Sequence, residues 1–382
     1  MKITLIYSTI ILTATLAFFG CQKDQVVNSE NSEVNIAQVR QDVQKSLREI
    51  QTVQGLREGV ETRAVAAFIV VPANSNNALV QAIADAGEGG IVYLRRGVHT
   101  ETVSITIRQR VLLIGEDGAI LKIKSTANAS NADGSQTVSV GLHVLNAPRT
   151  LVQNIDFQPI AGNGGAALLM QNSNESAMMF CTVSKHQYGL IVEKSDRMTI
   201  MRNKMTIADG WQTGALGTAL GITIVNGTSA YVADNTISNA VFAIWACDRY
   251  GTCERNTTTG SFLGIILCNV PRGYILPSGE VIGSLVSGAY WKVRNNTSTD
   301  NFTTGYLIID GANNNLLENN QAARNGTYDV ELTGDSYRYG FLTPKCFNNT
   351  VNVMVGQTVK NCGVNNTVNG GNLVNNATDP CN

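Results

Sequence analysis

Asp248 and Asp310 fall at equivalent places in two similarly patterned segments, and Glu193, Lys194 and Arg249 fall close to them in that pattern. Paired carboxyls do acid–base work. An inverting glycoside hydrolase holds its pair roughly 6.5–9.5 Å apart, and a retaining one nearer roughly 5 Å. A lyase instead needs a base of tuned basicity near a cation or metal that neutralises the substrate's acid group. Lys194 or Arg249 then serves as the base, with Glu193 and Asp248 near the metal. Calcium is the cofactor implied by the lyase reading alone; otherwise none is expected. Trp245, Trp211 and Tyr274 offer another capacity, because aromatic rings stack on sugars. Lys185, His186 and Arg272 lie near them and complete the candidate ligand contacts.

The elements that must position these residues are legible as repetition. Strands begin at Gly141, Ala167, Gly189, Gly221, Ala243, Gly264, Gly305 and Asp329. The next residue in each is apolar: Leu142, Leu168, Leu190, Ile222, Ile244, Ile265, Tyr306 and Val330. Two further on stand Val144, Met170, Val192, Ile224, Ala246, Leu267, Ile308 and Leu332. Alternate residues of a strand share a face, so both columns line one interior. A second marker reads Asn154, Cys181, Asn203, Asn235, Asn256, Asn296, Asn320 and Asn349. Three residues before it runs a third apolar column, from Leu151 and Met178 to Cys346. Most repeats span 21 to 26 residues. Repeats of this size that bury one side against their neighbours make a solenoid. Stacked about 4.8 Å apart, the amides of Asn154, Asn203, Asn235, Asn256, Asn296 and Asn320 form a structural ladder, interrupted at Cys181.

In this phase Asp248 and Asp310 lie two coils apart, about 10 Å between backbones. The outward row is His143, Leu169, Ile191, Thr223, Trp245, Ile266, Leu307 and Glu331. That is an apolar exterior, and large apolar patches are rarely left bare. Insertions at 207–219 and 270–289 flank Trp245 on either side. They either rim an open groove or fold down over the strip, and an uncovered strip is also a surface for docking another protein.

The stretch NNALVQAIADAGEGGIVYLRRGVHTETVSITIRQRVLLIGEDGAIL resembles the opening segment of the pectate-lyase-like right-handed parallel β-helix superfamily. There a short helix closes the end of the coil and the first turns follow. The resemblance implies an all-β solenoid over residues 66–382 with an N-terminal capping helix and a C-terminal cap. It also implies a polysaccharide groove along the first-strand face. Arg95 departs from the family, which often has proline there. The GHG motif of polygalacturonases, the WxDH and RxPxxR patterns of pectate lyases and the DPHD box of alginate epimerases are not found in the sequence. The expected function is therefore polysaccharide binding near Trp245. The alternatives are a polysaccharide lyase, glycoside hydrolase or epimerase in the same groove, and a protein-docking scaffold.

MKITLIYSTIILTATLAFFGC, with Gly20-Cys21 at its end, resembles the signal and processing site of a bacterial lipoprotein of the Bacteroidota type. That resemblance implies a signal peptide over 1–20, lipidation of Cys21 and anchorage in the outer membrane by acyl chains. Lys23-Asp24 resembles a tag for surface exposure. Residues 21–65 are expected to form the anchor, a polar linker and a spacer helix. Ile36, Val39, Val43, Leu47, Ile50, Val53, Leu56 and Val60 give that helix one apolar stripe. Net charge is −1 and charged residues make up 15%, which gives nucleic acid no electrostatic footing. Cys247 and Cys268 occupy one outward position on adjacent coils, within disulfide range. Cys362 and Cys381 are candidates to tie down the C-terminal end. No CxxC occurs and the three histidines are scattered, so no metal site is expected.

Overall fold

The computed structural model describes residues 34–55, 67–130, 137–160, 164–208, 219–268, 274–275, 281–282, 288–338, 341–374 and 381. Cys21, Trp211 and Arg272 lie outside these residues, and only the backbone of Tyr274 is described.

Short parallel strands stack rung on rung into three sheets, and the chain is a right-handed parallel β-helix. The front sheet contains strands Thr137–Leu145, Gly164–Gln171, His186–Glu193, Leu220–Thr228, Phe242–Arg249, Leu263–Cys268, Thr304–Ile309 and Tyr328–Leu332. The side sheet runs through Leu151–Gln153, Ala177–Met179, Thr199–Met201, Tyr231–Ala233, Thr252–Glu254 and Lys292–Arg294. The back sheet runs through Asp156–Pro159, Thr182–Ser184, Lys204–Thr206, Thr236–Ser238, Thr257–Thr259 and Thr297–Thr299. Leu168, Leu190, Ile222, Ile244, Ile265, Tyr306 and Val330 pair in one continuous row and are buried in a single core. Each fully buried Leu or Ile contributes about 1.5–3 kcal/mol.

The small residues at the front-strand starts have a steric reason. A Cβ on Gly221 would come within 2.6 Å of the Ile237 side chain on the back sheet. On Gly189 it would meet Met205 Sδ at the same distance. At these two rungs the corner leaves no room for a Cβ, whereas Ala167, Ala243 and Asp329 carry one at other rungs.

Helix α2 (Leu79–Ala86) closes the N-terminal end, with Leu79, Ala82, Ile83 and Ala86 buried against the core. It has no local side-chain cap; instead Glu101 Oε1 accepts the Leu79 N–H at 2.9 Å. That buried carboxylate meets the positive end of the helix.

Helix α1 (Ile36–Val53) lies lengthwise on the outer face of the side sheet. Its buried Val43 and Ile50 join Phe68, Tyr93, Leu112, Met179 and Met201, the outward residues of successive rungs. A helical turn advances about 5.4 Å and a rung about 4.8 Å, so a stripe of three- and four-residue steps meets a new rung at nearly every turn. Near the far end Gln54 Nε2 donates to Met198 O at 2.8 Å, and Arg202 grips Glu49 through both terminal guanidinium nitrogens. Leu56 and Val60 of the expected stripe lie outside the described residues.

The amide ladder requires two corrections. It runs Asn203, Asn235, Asn256, Asn296, Asn320; each upper amide donates its side-chain N–H to the Oδ1 below, and that oxygen also takes the upper backbone N–H. Cys181 ends the run by donating its backbone N–H to Asn203 Oδ1. Asn154 is not a member. Register places Ile155 above Cys181, while Asn154 takes left-handed φ 56° one residue earlier and donates its amide to Gly115 O. Asn349 belongs to a second ladder, Asn315–Asn349–Asn366, which starts beneath Trp291 at another corner. The same slip affects the third apolar column. Val152 and Val351, not Leu151 and Cys346, pair in the inward row of the side sheet.

Candidate functional site

The outward row of the front sheet is one register column. His143, Leu169, Ile191, Thr223, Trp245, Ile266, Leu307 and Glu331 pair in turn. It is not an open apolar surface. His143, Leu169, Thr223, Ile266 and Leu307 are buried, while Ile191, Trp245 and Glu331 stay partly exposed. Trp245 packs edge-on against Phe242, ring centroids 5.4 Å apart at 70°. Its Nε1 donates to Cys268 Sγ, and Cys268 is disulfide-bonded to Cys247 across a 4.8 Å Cα separation. The tryptophan thus stands on a covalently stapled pair of rungs, with Ile266, Leu307 and Ile309 packed beside it. A second disulfide joins Cys362 and Cys381. Cys181, Cys253 and Cys346 are free and buried.

The candidate acids and bases do not gather at this surface. Asp248 is fully buried, and both carboxyl oxygens lack a hydrogen-bond partner among the described residues. Burial pushes its pKa well above the usual carboxylate range. Alternation along the strand turns Asp248 inward, on the opposite side from Trp245 and Cys247. Asp310 is buried at a left-handed bend with φ 57°. Glu193 faces outward but is enclosed, and its Oε2 accepts from Gln171 Nε2 at 2.9 Å. Gln171 Oε1 in turn lies 3.2 Å from His143 Nε2, so this carboxylate belongs to a largely enclosed polar chain. The expectations that Asp248 and Asp310 present an acid–base pair to a ligand, and that Glu193 and Asp248 lie beside a metal, are corrected on burial.

His186 is corrected on the same ground. Its ring is wholly buried, with neither nitrogen hydrogen-bonded among the described residues. It fills the space above Gly164, where a Cβ would lie 2.7 Å from Nδ1. Burial lowers its pKa to about 4, so it is neutral at ordinary pH. Lys185 and Lys194 are exposed at left-handed turns, φ 61° and 48°, and Arg249 is half-buried beside Asp248. Among the described residues no cluster of three or more metal-ligating side chains forms.

Residues 117–276 match the family model described as a right handed beta helix region. No curated protein sequence matches the chain. Three solved structures to which it is similar share little sequence. The catalytic domain of a GH87 alpha-1,3-glucanase in complex with nigerose is 10% identical, with 84% of this chain and 68% of that one covered at TM-score 0.43. The A-module of the Azotobacter vinelandii mannuronan C-5 epimerase AlgE4 is 12% identical, with 78% and 91% covered at 0.41. PfbA, a surface adhesin of Streptococcus pneumoniae, is 10% identical, with 78% and 89% covered at 0.40.

The stacked aromatic pairs at the corners of the coil, with Tyr250, Tyr290 and Phe302 exposed and Phe262 partly buried, were not among the candidates from the sequence. Tyr250 and Tyr290 stack at 5.0 Å, and Phe262 and Phe302 at 5.6 Å. A signal was present. Tyr250 and Tyr290 each precede an inward side-sheet residue, Cys253 and Val293, by three positions. The apolar columns by themselves mark the strands and carry no signal for these turn positions.

Proposed function

We propose that this protein binds a neutral polysaccharide at the front sheet around Trp245, as a lipid-anchored protein of the outer membrane. One observation carries the reading. In a row where most outward residues are enclosed, Trp245 keeps part of its indole in solvent while Phe242 and the Cys247–Cys268 staple hold it in place. A partly exposed, immobilised aromatic ring suits the C–H face of a sugar and loses little freedom on binding. Lyase, hydrolase or epimerase chemistry is less favoured, because Asp248 is turned inward and Asp310 and Glu193 are enclosed.

The test is electrophoresis through gels containing laminarin, xyloglucan or α-mannan. Trp245→Ala is expected to lose retardation on the gel that slows the wild type, at an unchanged melting temperature. Equal retardation of the two proteins would sink the reading. Anchorage is tested by mass spectrometry of the membrane fraction: an unmodified Cys21 thiol there would remove the lipid anchor.

A further inference from the structure

Where the front sheet turns into the side sheet, backbone hydrogen bonds align one residue per rung, and beyond Arg149, Glu175 and Arg197 the column continues with Ser229, Tyr250, Tyr290, Asn314 and Asn348. These last five are left-handed, with φ from 54° to 61°. Asparagine adopts this conformation readily, and a bulky aromatic residue does so at a cost. Tyr250 and Tyr290 are nevertheless held there on adjacent rungs, their rings 5.0 Å apart and 11° from parallel. Burial does not offset that cost, since they are 57% and 48% exposed.

Their seat is rigid. Trp291, directly after Tyr290, is fully buried and donates Nε1–H to Asp248 O at 3.0 Å. Gly251, directly after Tyr250, makes room for that indole; a Cβ there would sit 2.3 Å from the ring. The left-handed bend is general in this coil, adopted also by Arg197, Lys194 and Arg255; what sets this pair apart is that two stacked rings on a rigid seat are left exposed to solvent.

We propose that Tyr250 and Tyr290 form a stacking platform for one ring of a neutral glycan. The class of ligand rests on the glycan reading of Trp245; the site does not, because it stands at a separate corner. Size favours a sugar over a protein partner. Two rings offer a small apolar island, whereas a stable protein interface buries about 800 Å² per side. Both ends of the island are uncharged and polar, Ser229 on one side and Asn314 on the other. Such groups suit the hydroxyl rim of a sugar whose C–H face lies on the tyrosines.

The variant Tyr250→Asn/Tyr290→Asn tests this, because asparagine suits the left-handed backbone and stands at this position in the next rungs. Binding to laminarin, xyloglucan and α-mannan, with polygalacturonate as the anionic arm, is read by gel retardation. The expected result is about tenfold weaker binding to a neutral glycan at an equal or higher melting temperature. Tyr250→Phe/Tyr290→Phe should keep the binding. A purely structural pair gives the reverse, a lower melting temperature with unchanged binding, and overturns the proposal. So does a wild type held by polygalacturonate alone or by no glycan. If Trp245→Ala abolishes binding and the asparagine pair does not, this platform falls and the front-face reading stands. The opposite pattern keeps the platform and removes the front-face reading.

Discussion

Asn256 donates both its backbone and its side-chain N–H to one oxygen, Asn296 Oδ1, at 2.8 and 3.0 Å. Its own Oδ1 takes the same two donors from Asn235, and its amide also reaches Val232 O at 2.9 Å. Every polar atom of this buried side chain is used. Asn256→Ala leaves the Asn235 backbone and side-chain N–H without their acceptor, while Asn296 Oδ1 keeps the backbone N–H of residue 256, and unmade buried hydrogen bonds cost about 1–3 kcal/mol each. We expect a loss on the order of 3 kcal/mol, read as a lower urea midpoint. A shift within error would mean that water replaces the amide freely.

His186 gives a pH dependence with a definite sign. Its folded pKa, about 4, lies below the ordinary 6.5. Between those values the unfolded chain binds the proton and the native state does not, so stability falls as pH drops from about 6.5 toward 4. The loss from pH 7 to pH 5 should be about 2 kcal/mol from this group. His99 and His143 are shifted the same way by burial and add to it. In His186→Gln the slope should flatten by that share. An unchanged slope would show that the ring is solvated.

Removing the anchor of α1 should free the helix without unwinding the coil. Ile50→Asp puts a charge into the interface with the side sheet. Amide exchange over 36–53 should then approach the unprotected rate, while the front-sheet strands keep their protection. Simultaneous loss of both would show that the helix is integral to the coil's stability.

Gly251→Ala adds a Cβ that meets the Trp291 ring at 2.3 Å, inside a filled corner. Overpacking of this kind costs about 1–3 kcal/mol. The double variant Gly251→Ala/Trp291→Leu should recover part of it, measured as a non-additive melting shift.

The coil itself was legible because its signals are local. Alternation sorted Ile222, Ile244 and Ile265 from Thr223, Trp245 and Ile266, and the amides from Asn203 to Asn320 marked one corner. Asn154 misled for a physical reason. Asparagine serves both a ladder and a left-handed bend, and nothing within its own rung distinguishes the two uses. Here the pairing of Asp156 with Thr182 decides, by placing Ile155 in the ladder position.

What the sequence determined, then, is which side of each strand a residue occupies, since period-two alternation and the rung repeat are properties of the chain. What only the tertiary structure decided is whether an outward residue meets water. Phe68 and Met179 are outward yet covered by α1; Glu193 is outward yet enclosed; Tyr250 and Tyr290 stand bare at a corner. Cover comes from segments distant along the chain, and no local pattern encodes which strip they will lie on.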